Sequence, residues 1–265
     1  MKIVRYAATA SAAPQWGSVV DGRVHPLSAD PLSNGRPQEP SEPIDKVHLF
    51  APCQPAKVMA LAVNYEGSTG WTEGMKEPLV FLKANTSVCG PRDEIRSPFG
   101  TTNVWGEAEL AIVIGRRLRG ASDAEAKVAI FGYTAANDVS ADNFEGWDHH
   151  LARSKAADTF CPLGPWIDTE YDPKNRAVEA WQRGELIRRG NTDQRLWSDV
   201  HTVALLSRWM TLEPWDVILT GTPPRVVPRR YLKEGEEFVV RIEGLGELKN
   251  VFLRDPVQEM EDRGS

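Results

Sequence analysis

The feature that most constrains this chain is a succession of short β-type runs, each closed by Gly, Pro or Asp. VMALAV (58–63), LVFLKA (79–84), ELAIVIGRR (109–117), AIFGYTAA (129–136), DVILTG (216–221) and EFVVRIEG (237–244) are β-branched or alternating segments. Only two stretches read as helical. Ser122 stands three residues before Glu125, the spacing of a capping box. Leu196, Val200, Val203, Leu206 and Met210 recur at spacings of three and four, which predicts one buried helix face with Ser207 and Arg208 turned to solvent. Many strands with few helices predict a β-rich α+β fold rather than alternating βαβ units.

At the N-terminus, KIVRYAA and WGSVVDGRVHPL predict short strands with a hairpin turn at Asp21-Gly22. From about Ser28 to Pro55 the chain is rich in Pro, Ser, Asn and Gly, and its prolines exclude helix interiors and central strands. The expected division is therefore a small N-terminal unit with its linker over 1–55 and a larger domain over 56–265. Hydrophobic residues make up 41% of the 265, enough for a substantial core.

A formal net charge of -6 without a long basic run argues against nucleic acid as a partner. No apolar run approaches the roughly 18 residues that span a bilayer, and the first residues lack a signal-peptide core. A cytoplasmic protein without a membrane partner is expected. Cys53, Cys89 and Cys161 are odd in number and scattered, which predicts reduced packing residues. No phosphate-binding glycine loop is present.

One cluster of residues suggests chemistry. If Trp105–Leu110 opens a strand, Glu107 and Glu109 project to the same face and Ala108 and Leu110 to the other. Two adjacent carboxylates repel unless a cation lies between them. Asp138, which follows AIFGYTAA, supplies a third acid. Three oxygen ligands suit Mg²⁺ or Mn²⁺, with Ca²⁺ a further candidate, better than zinc. Taken alone, an E-x-E pair is more often a solvated strand face.

The wider motifs reverse that balance. LAVNY (61–65), EPLVFLKANTSVCGP (77–91), GEAELAIVIG (106–115), FGYTAANDVSA (131–141), KAADTFCPLGPWI (155–167), MTLEPWDVILTGTP (210–223) and IEGLGELKN (242–250) together resemble the fumarylacetoacetate hydrolase superfamily, from Lys57 to Leu253. The resemblance implies a β-roll catalytic domain behind a small N-terminal domain, a homodimer, and a divalent metal on Glu107, Glu109 and Asp138. It also implies a catalytic role for Lys155 and substrate contact at Thr222. The implied substrates are small 2-keto acids or 1,3-dicarbonyl compounds. Such compounds undergo C–C hydrolysis, decarboxylation or keto–enol isomerisation, and in each an enolate develops beside a carbonyl that a metal can polarise.

Two departures qualify the activity. The histidine and glutamate that activate water in the family's hydrolases correspond to Ser68 and Trp71, and serine is no base near neutral pH without help. The arginine of the family's NDVSARD run is Asp142, which would repel an anion. Arg225 offers a replacement anion contact, and His149 or His150 a replacement base or substrate contact. For each of these the bland reading is an exposed side chain. An enzyme with altered substrate choice is expected; the alternative is a scaffold that keeps the fold without the chemistry.

Overall fold

The Asp21–Gly22 turn joins antiparallel strands, as its sequence predicts. β1 (Lys2–Ala7), β2 (Gln15–Val20) and β3 (Arg23–Pro26) form a meander, and both turn residues hold positive φ, 47° and 74°. The proline-rich stretch contains two short strands. β4 (Glu42–Pro43) lies on the sheet edge beside β3, where a proline removes no needed donor, and β5 (His48–Phe50) pairs with β1. This structure is a computed structural model that describes residues 1–256, apart from Thr69, Trp71, Phe144 and Glu145.

The predicted runs all become strands. β6 (Val58–Ala62), β7 (Leu79–Lys83), β8 (Val88–Cys89), β9 (Glu94–Ser97), β10 (Val104–Trp105), β11 (Ala108–Ile114), β12 (Ile130–Asn137), β13 (Ser140–Ala141) and β14 (Cys161–Asp168) fill the middle of the chain. β15 (Ala177–Gln182), β16 (Glu185–Asn191), β17 (Val217–Leu219), β18 (Glu237–Ile242) and β19 (Gly246–Arg254) follow. One large sheet runs β4-β3-β2-β1-β14-β12-β11-β17-β6-β7, so the N-terminal meander extends it through β1 against β14. A second sheet runs β16-β15-β18-β19-β9. This is the β-rich α+β architecture expected.

β11 shows how the two layers meet. Every residue of AELAIVI is buried, because the strand is covered on both faces. Ala108, Leu110, Ile112 and Ile114 pack with Val178, Val240 and Phe252 of the second sheet. Ala111 and Val113 pack on the opposite face with Val58, Ala60, Phe81 and Leu219. Glu109 shares that second face by alternation.

Helices are few. α1 (Asp123–Ala129) starts on the predicted capping box: Ser122 accepts from the Glu125 N–H and the Glu125 carboxylate accepts from the Ser122 N–H. α2 (Ala152–Lys155) is a single turn, and α3 (Asp199–Trp209) carries the predicted stripe from Val200 to Leu206. Two details of that helix differ from expectation. Leu196 lies before the helix and Met210 just after it, and Ser207 is buried rather than solvent-facing. The Ser207 hydroxyl donates to the Ala204 carbonyl and accepts from the Ala121 N–H, while its carbonyl accepts from Gly120. A loop packed on this face, invisible to periodicity, turns a polar position inward. The three cysteines are free and buried. Among the described residues, no helix is long and apolar enough to cross a membrane.

Candidate metal centre

Antiparallel pairing assembles the acids. Ala108 of β11 stands opposite Asn137 of β12, so the residue before one strand meets the residue after the other. The Asp138 N–H donates to the Glu107 carbonyl at 2.9 Å, and the Glu107 N–H donates to the Asn137 side-chain oxygen at 2.9 Å. Gly106 permits this approach: a Cβ there would stand 2.5 Å from the Phe238 ring and 2.8 Å from the Asn137 oxygen. One carboxylate oxygen from each of Glu107, Glu109 and Asp138 lies within 4.8 Å of the others. Oxygens on one ion stand no farther apart than about twice a metal–oxygen distance of ~2.1–2.5 Å. An all-carboxylate set of this span, with Glu109 and Asp138 buried and Glu107 partly so, fits a hard divalent cation.

Three cations surround the triad. Lys155 Nζ donates to Glu107 Oε2 at 3.0 Å and Asp138 Oδ2 at 2.5 Å. Lys83, at the end of β7, donates to Asp138 Oδ1 at 2.6 Å and the Val139 carbonyl at 3.2 Å, with its side chain fully buried. Arg188 of β16 reaches Glu107 Oε1 at 2.7 Å and fixes its other arm on the Pro223 carbonyl at 2.8 Å. Burial opposes ionisation of Glu107, but Lys155 and Arg188 outweigh it and lower its pKa to about 2. Burial also opposes the Lys155 ammonium, yet Asp138 and Glu107 raise its pKa above the ordinary lysine value.

Glu109 is the exception. It accepts the Gly221 N–H at 2.6 Å, but burial and the charges of Asp138 and Glu107 push its pKa well above the usual carboxylate range. A carboxyl that holds its proton more tightly when folded costs stability as pH rises through and above the unfolded value of 4.5. Glu109→Gln is therefore expected to raise the stability of the metal-free protein near pH 7 by on the order of 1 kcal/mol. The same change should remove stabilisation by added Mn²⁺. Thermal unfolding with chelator and with Mn²⁺ measures both, and a variant less stable than the parent in chelator contradicts the assignment of strain to Glu109.

A cavity of about 400 Å³ opens over the triad, lined among others by Ser68, Phe81, Lys155, Arg188, Thr222, Arg225 and Arg229. Of the residues anticipated from sequence, Glu107, Glu109, Asp138, Lys155, Thr222 and Arg225 meet here. The Thr222 hydroxyl is buried without a partner, and Gly221 before it holds φ +88° with Asn64 packed where a Cβ would go. Asn64 is a strut: its side chain donates to the Thr220 carbonyl and accepts from the Trp197 N–H. His149 and His150 are exposed in the loop before α2 and do not line the cavity. Glu66 and Glu73 are likewise exposed and off its wall. Asp142 turns to Asn103, 2.9 Å away, and Trp71 lies outside the described residues. Lys83, Arg188 and Arg229 were missed from sequence; the only signal was a lysine two places after Phe81 on an apolar strand.

Residues 54–253 match the family described as fumarylacetoacetate (FAA) hydrolase C-terminal, and residues 1–52 match the one described as Rv2993c-like, N-terminal. The chain belongs to the fumarylacetoacetate hydrolase family. It is 36% identical to the human mitochondrial oxaloacetate tautomerase FAHD2A, over 80% of this chain and 72% of that one. The structure of 5-carboxymethyl-2-hydroxymuconate delta-isomerase from Mycobacterium smegmatis superposes with a TM-score of 0.86 at 36% identity, covering 96% of this chain and 100% of that one. Maleylpyruvate hydrolase from Sphingobium sp. SYK-6, solved with a manganese(II) ion and pyruvate, gives a TM-score of 0.78 at 26% identity, with 97% and 100% covered. Family and triad together define a metal-dependent enzyme of the fumarylacetoacetate hydrolase type.

Proposed function

We propose that this enzyme moves a proton at the carbon next to the carbonyl of a 2-keto acid, as a keto–enol isomerase, with decarboxylation open to the same site. The observation that carries the reading is the pairing of the buried acid triad with Lys155, whose ammonium spans two of its three members. Glu107, Glu109 and Asp138 would hold Mg²⁺ or Mn²⁺. The ion would supply Lewis acidity toward the keto-acid oxygens.

The chain's own residues supply the rest. Lys155 stays protonated, so it offers a fixed positive charge and a donor hydrogen to an oxygen that becomes negative. Lys83 holds Asp138 from outside the cavity, and Arg188 holds Glu107 from its wall. The unpartnered Thr222 hydroxyl is available to a substrate carboxylate. Among the described residues the cavity wall carries no imidazole, and Ser68 stands where the resemblance expects one. Isomerisation and decarboxylation need no activated water, which favours them over hydrolysis; in isomerisation the carbon-bound proton would pass to solvent entering the open cavity, since Lys155 stays protonated. The isomerase and tautomerase among the relatives support the same choice.

Two assays test it: deuterium uptake into pyruvate followed by NMR, and acylpyruvate cleavage followed by loss of enol absorbance. Mn²⁺-dependent exchange with slow cleavage is expected. Rapid cleavage without exchange would overturn the reading. A protein that takes up no Mg²⁺ or Mn²⁺ in calorimetry would instead favour the scaffold alternative.

A further inference from the structure

A second cavity, of about 720 Å³, shares no residue with the one over the triad. It lies between the start of β12, the loop after β14 and the 192–200 segment that leads into α3. Phe131, Tyr133, Tyr171 and Trp197 line it with aromatic rings, those of Tyr133 and Tyr171 centred 5.8 Å apart. The polar part is buried. Arg195, whose side chain is 7% exposed, donates to both Asp199 oxygens at 2.5 and 3.2 Å and to the Thr192 carbonyl at 2.9 Å. Tyr133 donates to the same carboxylate at 3.2 Å.

Donors here outnumber the acceptors that meet them. Arginine has five N–H groups, of which Arg195 uses three, so two have no partner among the described residues. The buried Trp197 indole N–H has none either. Lys127 of α1 and Lys174 line the cavity too, and among the described residues neither has a carboxylate within 4.0 Å. The three lining acids are already engaged. Asp199 meets Arg195 and Tyr133, Asp193 accepts the Asn175 N–H at 2.9 Å, and Asp172 accepts the Lys174 N–H at 3.2 Å. Aromatic rings flanked by unpartnered donors and cations complement a flat apolar group that carries negative charge.

One wall of this cavity is tied to the metal site. The Leu196 N–H donates to the Asn64 carbonyl and the Trp197 N–H to the Asn64 side-chain oxygen, each at 2.9 Å. The backbones of Tyr65 and Arg195 bridge beside them. Asn64 in turn packs 2.8 Å from where a Cβ on Gly221 would stand, and the Gly221 N–H is the donor that Glu109 accepts. We infer that the cavity is a second ligand site, for an aromatic molecule with an anionic group, whose occupant acts on the metal site through Asn64. This link needs the metal centre alone, whichever reaction that centre serves.

Three probes test the site by calorimetry: 2-naphthoate, 2-naphthalenemethanol as its neutral counterpart, and acetate as a charge without a ring. In chelator, 2-naphthoate should bind at least about tenfold tighter than the alcohol, because charge-assisted hydrogen bonds go with the charge. Acetate should give no binding heat. Lys127→Glu/Lys174→Glu, at two exposed positions, should weaken 2-naphthoate by at least about tenfold and leave Mn²⁺ affinity unchanged. Equal affinity for acid and alcohol, or acid binding that survives in this variant, would overturn the ligand site. So would sedimentation showing a parent dimer that the variant dissociates, since a second copy would then cover the cavity. On the parent, saturating 2-naphthoate should change Mn²⁺ affinity by at least about twofold, and Mn²⁺ should change 2-naphthoate affinity by the same factor. No change, or one that persists undiminished in the variant at the same probe concentration, would overturn the link through Asn64.

Discussion

Alanine at Glu107, Glu109 or Asp138 is expected to lower metal-dependent turnover by on the order of 10³-fold or more, because each change removes one of three oxygen ligands and the several kcal/mol of charge stabilisation the ion supplies. The three variants should not be equally stable. Glu107→Ala strands Arg188, which is 5% exposed, and leaves Lys155 with Asp138 as its remaining acid. Asp138→Ala leaves the buried Lys83 ammonium with the Val139 carbonyl alone. Breaking a buried pair from one side costs about 3–5 kcal/mol. Glu109→Ala instead relieves repulsion and gives up one backbone hydrogen bond, worth about 1 kcal/mol. The expected order of stability in chelator is Glu109→Ala above Glu107→Ala and Asp138→Ala. Turnover titrated with Mn²⁺, metal uptake by calorimetry and thermal unfolding in chelator check each part. Full activity of any of the three in chelator-treated buffer would end the metal assignment.

The acids were legible in the sequence because their spacing is local, although the expected single strand breaks at Gly106–Glu107 and only Glu109 lies within β11. Their cations were less so. Lys83 reads as an ordinary lysine at a strand end, and its burial depends on β7 closing over the end of β12, some 55 residues later. Arg188 comes from the other sheet, 81 residues from the carboxylate it meets. Nothing in ELIRRG distinguishes it from Arg189, which pairs with Glu179 at the surface. The N-terminal hairpin was predicted from its turn, yet its place in the main sheet depends on Lys2 and Ile3 pairing with Asp168 and Ile167. Local chemistry was readable, and partners brought together by long-range pairing were not. The same limit explains why Arg225 was singled out while Arg229, four residues on, was not: its position over Trp105 is a tertiary fact.

Lys155→Met is expected to separate two roles that one ammonium now combines. The thioether matches much of the lysine stem, so packing against Phe81, whose ring centroid lies 5.0 Å from Nζ, should survive. What disappears is a charge that bridges Glu107 and Asp138 before any metal arrives. Competition for those two carboxylates then falls, and Mn²⁺ affinity should rise by about tenfold. Turnover should move the other way. A charge aimed at a developing oxyanion acts mainly in the transition state, so kcat should fall on the order of 10²-fold, about 3 kcal/mol, with little change in KM. Lys155→Arg should recover part of kcat, because it restores charge with altered geometry. Calorimetric Mn²⁺ binding beside steady-state kinetics gives the decisive contrast: tighter metal with slower chemistry. An unchanged kcat would return Lys155 to a purely structural counter-ion, and weaker metal binding together with lost turnover would mean that its removal had deformed the triad.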